Sequence, residues 1–297
     1  MFNIRFLGTS SMSPTKSRNQ QAIFISVGSE GILIDCGDGT QNRFKAMGVS
    51  LTKITKILIT HWHGDHVFGL PGVVQSLNNS EYSKTLEIYG PIGTKKNFSL
   101  MLKTFPFDKR IKINVIEVSS GTFFKNKKIF IAAIKMKHAV PTLAYSIVES
   151  DKRRINLSYV KKMGIFPGPL LGALQNNMVI SWKGKKIRPC DATSIIKGKK
   201  VVVILDTLLN PNCYSIAKNA DLLICESSFD FSLANKAKEY LHLTNIDAAT
   251  IAKRAKCKKL ILTHFSNRYK DVSIIKKGAS KKFKGVVCAE DFMTISV

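Results

Sequence analysis

The stretch Ile57-Leu-Ile-Thr-His-Trp-His-Gly-Asp-His66 (ILITHWHGDH) places three histidines and one aspartate within six residues, directly after an aliphatic run. The run predicts a short buried strand. His61 and His63, two residues apart in extended backbone, leave such a strand on the same side. The glycine then lets the chain turn, so Asp65 and His66 face a second position nearby. Imidazole and carboxylate ligands without thiolate are typical of catalytic rather than structural zinc sites, so the stretch predicts a metal centre at a strand end.

Three more ligand-type residues follow other β-branched runs. His138, Asp206 and His264 each stand at the end of such a run, and the run that ends in His264, LILTH, repeats the opening ILITH almost letter for letter. Sheet proteins place ligands at strand ends. Taken alone, each residue would be read as a capping or hydrogen-bonded surface group. Together they point to one shared site, because five of the six histidines lie in the cluster or at strand ends.

Glu226 and His242 form a second pair of interest. Glu226 follows the apolar run Leu222 to Cys225, and His242 precedes a predicted helix whose N-cap is Thr244 or Asn245. A carboxylate that orients an imidazole is a common arrangement for a proton donor. The sequence leaves open whether the two side chains meet.

The charge of the chain favours polyanionic partners. Forty-six basic and 20 acidic residues in 297 give a formal net charge of +26, spread along the whole chain. Such a field attracts nucleic acid or an anionic surface, although a solvated lysine-rich surface would have the same composition. Composition alone does not separate these two interpretations.

The compartment is expected to be the cytoplasm. The six cysteines are scattered and form no Cys-x-x-Cys pair, as in reduced intracellular proteins. The N-terminus lacks the apolar segment of a signal peptide, and no apolar run approaches the ~18 residues of a membrane-spanning helix. We therefore expect no membrane partner.

Short β-branched runs separated by helical patterns predict a layered α/β protein. The predicted strands are 3–7, 22–27, 31–34, 57–59, 86–89, 113–118, 129–134, 143–148, 201–205, 222–225 and 260–262. The predicted helices are 67–77, 93–103, 212–218, 233–240 and 245–256. With 44% hydrophobic residues, the chain can bury a sizeable core as one domain, 1–297.

One segment departs from this rhythm. Residues 150–200 contain twelve Lys or Arg and two Asp, a net +10, around the run Gly164-Ile-Phe-Pro-Gly-Pro169. Compact domains seldom contain so long a connection without a function for it. We interpret residues 150–190 as an inserted arm. The alternative is a surface insertion without a role.

The motifs together resemble the metallo-β-lactamase fold and, within it, the tRNase Z (RNase Z) family of tRNA 3′-processing endoribonucleases. The resemblance runs nearly from end to end. It rests on the His-x-His-x-Asp-His cluster and on five shorter segments, PTKSRN (14–19), DCGDGTQ (35–41), GIFPGP (164–169), ESSF (226–229) and LTHFSNRY (262–269). The chain departs from the family pattern at ESSF, where the family has EATF, and after Asp206, where Thr-Leu-Leu-Asn-Pro replaces the usual Thr-Arg-Pro. The first change keeps the acid, and the second changes the loop after the aspartate while the aspartate itself is kept.

The resemblance implies a four-layer αββα sandwich of two similar halves, which would explain the echo of ILITH in LILTH. It implies two zinc ions per subunit, one held by His61, His63 and His138 and the other by Asp65, His66 and His264, with Asp206 bridging. It also implies three catalytic residues, Asp65 as proton acceptor and His242, oriented by Glu226, as donor. The substrate-binding residues that it implies are Lys16, Arg18, Lys161, Lys162, Gly168, Pro169 and Arg268.

The activity implied is removal of the 3′ trailer from precursor tRNA by attack of a metal-bound hydroxide on the scissile phosphate, which leaves a 3′-hydroxyl on the tRNA. The basic arm would grip the tRNA, and in a homodimer the arm of one subunit would serve the site of the other. One alternative is a metallo-β-lactamase-fold hydrolase of small phosphodiesters, which needs no arm. Another is a nucleic-acid-binding protein with a dead site. The sequence does not separate zinc from manganese or iron.

Overall fold

The computed structural model describes residues 1–105, 107–108 and 110–297. Its strands, in chain order, are β1 Phe2–Gly8, β2 Ala22–Val27, β3 Glu30–Ile34, β4 Lys56–Leu58, β5 Thr85–Gly90, β6 Lys112–Glu117, β7 Gly121–Lys125, β8 Ile129–Met136, β9 Thr142–Glu149, β10 Lys152–Ile155, β11 Ile180–Trp182, β12 Lys185–Ile187, β13 Thr193–Ile196, β14 Lys200–Ile204, β15 Leu222–Glu226, β16 Leu260–Thr263, β17 Val286–Cys288 and β18 Thr294–Ser296. Its α-helices are α1 Thr40–Ala46, α2 Gly64–Val67, α3 Leu70–Asn78, α4 Thr94–Thr104, α5 Leu157–Lys162, α6 Pro169–Gln175, α7 Pro189–Ala192, α8 Pro211–Ala217, α9 Ala234–Glu239, α10 Asn245–Arg254 and α11 Ser273–Ser280.

Two seven-stranded mixed sheets pack face to face. The first has the order β18-β1-β2-β3-β4-β5-β6, and the second has the order β17-β16-β15-β14-β9-β8-β7. Three apolar clusters separate the layers: one between the sheets, one under α1, α3 and α4, and one under α8, α10 and α11. The predicted four-layer αββα sandwich is therefore present.

The strand period explains this layering. In β14, Val201 and Val203 point into the cluster between the sheets, whereas Val202 and Ile204 point into the cluster under the helices. A strand that is buried on both faces reads as a continuous apolar run, which is why these strands could be predicted from sequence. The N-cap prediction is also confirmed, because the Thr244 side chain accepts from the backbone N–H of Asp247 in a capping box.

The predicted helix 67–77 is wrong in its boundaries. The structure has two helices there, and the chain leaves the first one at Phe68 and Gly69. The Gly69 N–H donates to the carbonyl of Cys36, 2.9 Å away, instead of continuing the helix. A β-carbon at this position would lie 2.0 Å from the carbonyl oxygen of Gly37. The close approach of two backbones, which no local pattern reveals, therefore breaks the helix.

The segment interpreted as an arm is a folded unit. Its stem is the antiparallel pair β10 and β13, in which Lys152 faces Ile196, so its elements extend six residues beyond the predicted end at 190. Its own apolar cluster is centred on Val160, Leu174 and Ile187. Sequence reading missed β10 because Lys-Arg-Arg-Ile reads as a charge run, and such a strand forms only with its distant partner.

The arm leaves the second sheet at the end remote from the histidine cluster. Strand β9 begins at Thr142, close to His138, and ends at Glu149, from which the chain enters the arm. The eight residues of β9 therefore separate the arm from the histidine cluster by roughly 25 Å.

Among the described residues, no helix combines the length and the hydropathy needed to cross a bilayer.

Candidate metal centre

Four strand ends bring the predicted ligands together. His61 follows β4, and the short helix α2 carries Asp65 and His66; His138, Asp206 and His264 follow β8, β14 and β16. The parallel strands β14, β15 and β16 run in the same direction, so their carboxyl ends meet at one edge of the sheet. The first sheet presents its β4 end to the same place.

One group of potential ligands consists of His61, His63, His138 and Asp206. The Nε2 atom of His61 lies 3.0 Å from Nδ1 of His63 and 3.5 Å from Oδ2 of Asp206. Nε2 of His138 lies 3.3 Å from Nδ1 of His63. All the ligand atoms of the group lie within 4.8 Å of one another, a spacing that one ion can bridge.

A second group consists of Asp65, His66, His264 and, again, Asp206. Nε2 of His66 lies 3.3 Å from the carboxylate of Asp65 and 3.4 Å from that of Asp206. Nε2 of His264 lies 3.2 Å from Oδ1 of Asp206. Asp206 thus belongs to both groups, which is the position that the resemblance implies for a bridging ligand.

The chemistry of this cluster fits metal ions. Four of its buried atoms, Asp65 Oδ1, His66 Nε2, Asp206 Oδ1 and His264 Nε2, have no hydrogen-bond partner among the described residues. Leaving buried polar atoms unpaired is costly, and a cation would satisfy them all. The donors are imidazoles and carboxylates without a thiolate, a set that suits zinc with open positions.

The electrostatics of the cluster favour the ligating forms of His61 and Asp206. Burial, together with the neighbouring imidazoles, holds the pKa of His61 well below its ordinary value, so the ring stays neutral. Burial opposes ionisation of Asp206, but the imidazoles of His264, His66 and His242 outweigh it and hold the pKa of the carboxyl well below its usual range. Neutral imidazoles and ionised carboxylates are the species that bind metal.

Asp35 is a supporting residue that sequence reasoning did not single out. It is fully buried, and its Oδ2 lies 2.5 Å from Nδ1 of His66. It also accepts hydrogen bonds of 2.7 Å from the backbone N–H and the hydroxyl of Thr60. A carboxylate in this position orients the imidazole of a ligand. Its only signal in the sequence was its place in the DCGDGTQ segment.

The pairing of Glu226 with His242 is present. Oε2 of Glu226 lies 3.0 Å from Nδ1 of His242, and Oε1 accepts from the backbone N–H of Thr207 at 2.7 Å. Burial opposes protonation of His242, but the carboxylates of Glu226 and Asp206 outweigh it and raise the pKa of the imidazole to about 9. Because Nδ1 faces the carboxylate, Nε2 is the ring atom left for a substrate.

His242 also stands close to the ligands. Glu226, His242, His264 and Asp206 form a third group whose ligand atoms lie within 4.8 Å of one another. The hydroxyl of Ser228 connects this group, since it donates to Glu226 at 2.7 Å and lies 2.9 Å from Nδ1 of His264. The ESSF departure from the family pattern thus keeps a hydroxyl at this position.

The cluster opens into a cavity of about 560 Å³. Members of both ligand groups line it, together with the Ser11–Ser13 loop and with Phe229, Tyr240, His242 and Arg268. Arg268 is exposed, and its Nε donates to the Ser266 hydroxyl at 3.1 Å. The predicted substrate contact at Arg268 therefore lies at the mouth of the metal centre.

The other predicted substrate residues lie elsewhere. Lys16 is exposed on the N-terminal loop, and Lys161, Lys162, Gly168 and Pro169 are exposed on the arm. Arg18 is only 8% exposed, and its guanidinium donates to the carbonyls of Ser266 and Tyr269 at 3.5 and 2.5 Å. Arg18 therefore supports the loop that carries Arg268 and presents little surface to a substrate, contrary to our expectation.

Comparisons with known proteins agree with the observed fold. A family model described as "Anti-Pycsar protein Apyc1" matches residues 2–152. Proteins named ribonuclease Z from Archaeoglobus fulgidus and Methanothermobacter thermautotrophicus are 37% and 36% identical to the chain, over 100% of its length and over 98% and 97% of theirs. Human tRNase Z, short form, matches with a TM-score of 0.73 at 27% identity and 99% coverage of both chains. YhfI from Bacillus subtilis, a metallo-β-lactamase fold protein, matches with a TM-score of 0.72 at 18% identity, over 99% of this chain and 98% of that one. The predicted fold is confirmed.

Proposed function

The chain belongs to the ribonuclease Z family, and residues 2–152 to the family of the Apyc1 model; from this premise we propose that it is a zinc-dependent endoribonuclease that removes the 3′ trailer from precursor tRNA. The observation that carries the proposal is one cavity that is lined by members of both four-ligand groups and by His242, the imidazole that contacts Glu226. The formal charge of +26 supports a polyanionic substrate.

We propose two zinc ions per subunit. His61, His63 and His138 would hold one, Asp65, His66 and His264 the other, and Asp206 both. When bound, a pair of zinc ions supplies Lewis-acid stabilisation of charge on the phosphate and an activated water. In the second group, buried nitrogen and oxygen atoms have no hydrogen-bond partner among the described residues, which supports an ion at that position.

The residues around the ions would handle the protons. The Asp65 carboxylate, whose pKa is held low by His66 and His264 against the effect of burial, would accept a proton from the attacking water. His242 would donate from Nε2 to the departing 3′ oxygen of the tRNA, since an alkoxide is a poor leaving group near neutral pH. Glu226, bonded to Nδ1, would keep the ring in the donor orientation.

The position of the arm supports a homodimer. The arm leaves its own sheet at the end opposite to the metal centre, at Glu149 and Lys200. A rigid arm with its own apolar cluster would therefore present a tRNA more readily to the site of a second subunit. We propose that the arm of one subunit serves the site of the other.

We also propose a cytoplasmic location. All six cysteines are free thiols in the structure. Buried reduced thiols are usual in a reducing compartment. In the cytoplasm the enzyme would have access to precursor tRNA.

Incubation with a 3′-extended precursor tRNA tests the proposed function. We expect one endonucleolytic cut that yields a mature-length tRNA with a 3′-hydroxyl and a trailer with a 5′-phosphate, and we expect chelation to prevent it. End mapping of both products would establish the position. Cleavage at scattered sites, or a 3′-phosphate on the tRNA, would contradict the proposal.

Removal of the arm separates tRNA processing from small-phosphodiester hydrolysis. Residues 152–196 can be replaced by a short glycine-rich loop, because Lys152 and Ile196 are paired across the stem and the apolar cluster of the arm is its own. We expect the Kd for precursor tRNA to rise at least about 100-fold, because several phosphate contacts are lost. Turnover of bis(4-nitrophenyl) phosphate should be unchanged. Unaltered tRNA cleavage would refute a role for the arm.

Mixing two inactive variants tests the homodimer in the same system. The armless chain has an intact metal centre, and an Asp206→Asn chain has an intact arm. If arms act between subunits, co-refolding of the two chains should restore part of the cleavage activity. No restoration in a demonstrated heterodimer would show that each arm serves its own site.

A further inference from the structure

We propose that Tyr240 forms a nucleobase-binding subsite beside the metal centre, which takes the base of the nucleotide on the tRNA side of the scissile phosphate. None of the roles assigned above uses this residue. The identity of the ligand as RNA rests on the proposed function, whereas the subsite itself rests on the geometry of the cavity mouth.

The ring of Tyr240 is placed as an open aromatic platform. The residue follows helix α9, is 52% exposed and lines the same cavity as His138, His242 and Asp206. One side of the ring packs against Phe229, with ring centroids 6.3 Å apart and planes inclined by 17°. Phe229 is itself only 6% exposed, so the tyrosine extends the aromatic surface out of the core and into the cavity.

Cations flank these two rings. The guanidinium of Arg268 lies 5.2 Å from the centroid of Phe229, and Lys236 lines the cavity beside Tyr240, with Glu239 as the neighbouring acid. Basic groups interleaved with aromatic rings are typical of sites that bind single-stranded nucleic acid, in which the rings stack on bases and the cations meet phosphates. A site for a small inorganic anion would have no use for the exposed ring.

The backbone fixes the platform relative to the proposed proton donor. Leu241, between Tyr240 and His242, has φ +57°, a left-handed conformation that costs energy for a residue with a side chain. Its carbonyl accepts from Nδ1 of His138 at 3.2 Å, and the N–H of His242 donates to Ala237 at 2.8 Å. One tight turn thus connects a metal ligand, the donor imidazole and the aromatic ring.

This connection indicates which base is bound. His242 would protonate the departing 3′ oxygen, and that oxygen belongs to the last nucleotide of the mature tRNA. A ring held two residues from His242 lies on the side of that nucleotide rather than on the trailer side. The 3′ end of a tRNA is single-stranded, so its terminal base is free to stack on an aromatic ring.

An abasic substrate combined with Tyr240→Ala tests the subsite. On an ordinary precursor tRNA we expect Tyr240→Ala to lower kcat/KM roughly 5- to 100-fold, the range of base stacking on an aromatic side chain. Wild-type enzyme should lose a similar factor on a precursor that lacks only the base 5′ to the cut. On the abasic precursor, the kcat/KM of Tyr240→Ala should be nearly the same as that of wild type, since the two changes remove the same contact.

Two variants control for other effects. Tyr240→Phe keeps the ring and should retain near wild-type kcat/KM. Phe231→Ala removes a ring of similar exposure, 56%, that does not line the cavity, and it should cleave both substrates as wild type does. Thermal unfolding of all variants checks that each is folded.

Two results would overturn the subsite: an equal loss for Tyr240→Ala on the ordinary and abasic substrates, or no loss on either. Failure of the wild-type enzyme to cut any precursor would instead refute the proposed function. The subsite would then be decided by binding of a short RNA oligonucleotide, with and without its 3′-terminal base, to wild type and Tyr240→Ala. If removing the base from the oligonucleotide weakens its binding to wild type but not to Tyr240→Ala, the subsite is supported. If removing the base changes the affinity of both proteins equally, the subsite is excluded.

Discussion

Asp206→Asn is expected to lower the metal content from the proposed two ions per chain to one or none and to reduce precursor-tRNA cleavage at least about 1,000-fold, since metal ions supply several kcal/mol of transition-state stabilisation. Asp206 is the only residue shared by all three ligand groups found among the described residues. Its carboxylate lies within 3.2 to 3.5 Å of ring nitrogens of His61, His66 and His264. Without its charge, these imidazoles keep no common anionic partner.

Metal analysis of the purified variant, together with cleavage rates, checks this prediction. Asp221→Asn is a suitable control, because Asp221 precedes β15 at the opposite end of the same sheet and its carboxylate accepts from Lys199 and Lys258. The control should have the same metal content and the same rate of precursor-tRNA cleavage as wild type. Retention of both ions and of wild-type turnover by the Asp206 variant would show that Asp206 is not the bridging ligand.

His242→Ala should slow cleavage of precursor tRNA about 10²- to 10⁴-fold, the usual contribution of a positioned general acid, while zinc content and tRNA affinity stay unchanged. The physical reason is the Glu226 contact at Nδ1, which leaves Nε2 free for the proton donation proposed above. A substrate whose leaving group departs as a stable anion does not need this proton. We therefore expect the variant to hydrolyse bis(4-nitrophenyl) phosphate nearly as fast as wild type does.

The alternative for His242 is direct metal binding, because it also belongs to a group with Asp206 and His264. In that case His242→Ala would lose zinc and would fail on both substrates. Metal analysis and the ratio of the two activities therefore distinguish a donor from a ligand. An unchanged rate of tRNA cleavage would exclude both roles.

Much of the architecture could be predicted because its signals are local. Strands such as β14 and β15 are buried on both faces and appear as unbroken apolar runs. Other elements could not be read this way. Strand β18 is three residues long and exists through its pairing with β1, and β10 is a charged segment that needs β13. Their stability comes from a partner distant in the sequence, which no window of residues contains.

The same distinction applies to the site. The residue types and close spacing of ILITHWHGDH, with single ligand-type residues at three other strand ends, were enough to predict which side chains lie together as potential ligands, because parallel strand ends meet at one edge of a sheet. The burial of Arg18 against the loop of residues 266–269 was not foreseen, because it joins residues about 250 positions apart.

The sequence by itself determined the layered fold, the seven potential ligands and the existence of a basic insertion, since strand period, residue chemistry and charge are properties of neighbouring residues. Only the tertiary structure decided that Glu226 meets His242, that Asp35 holds His66, that the arm leaves the sheet away from the metal centre and that Tyr240 opens into the cavity. Each of these depends on chain direction and packing, which bring side chains together across the sheets and set the exposure of those that remain at the surface.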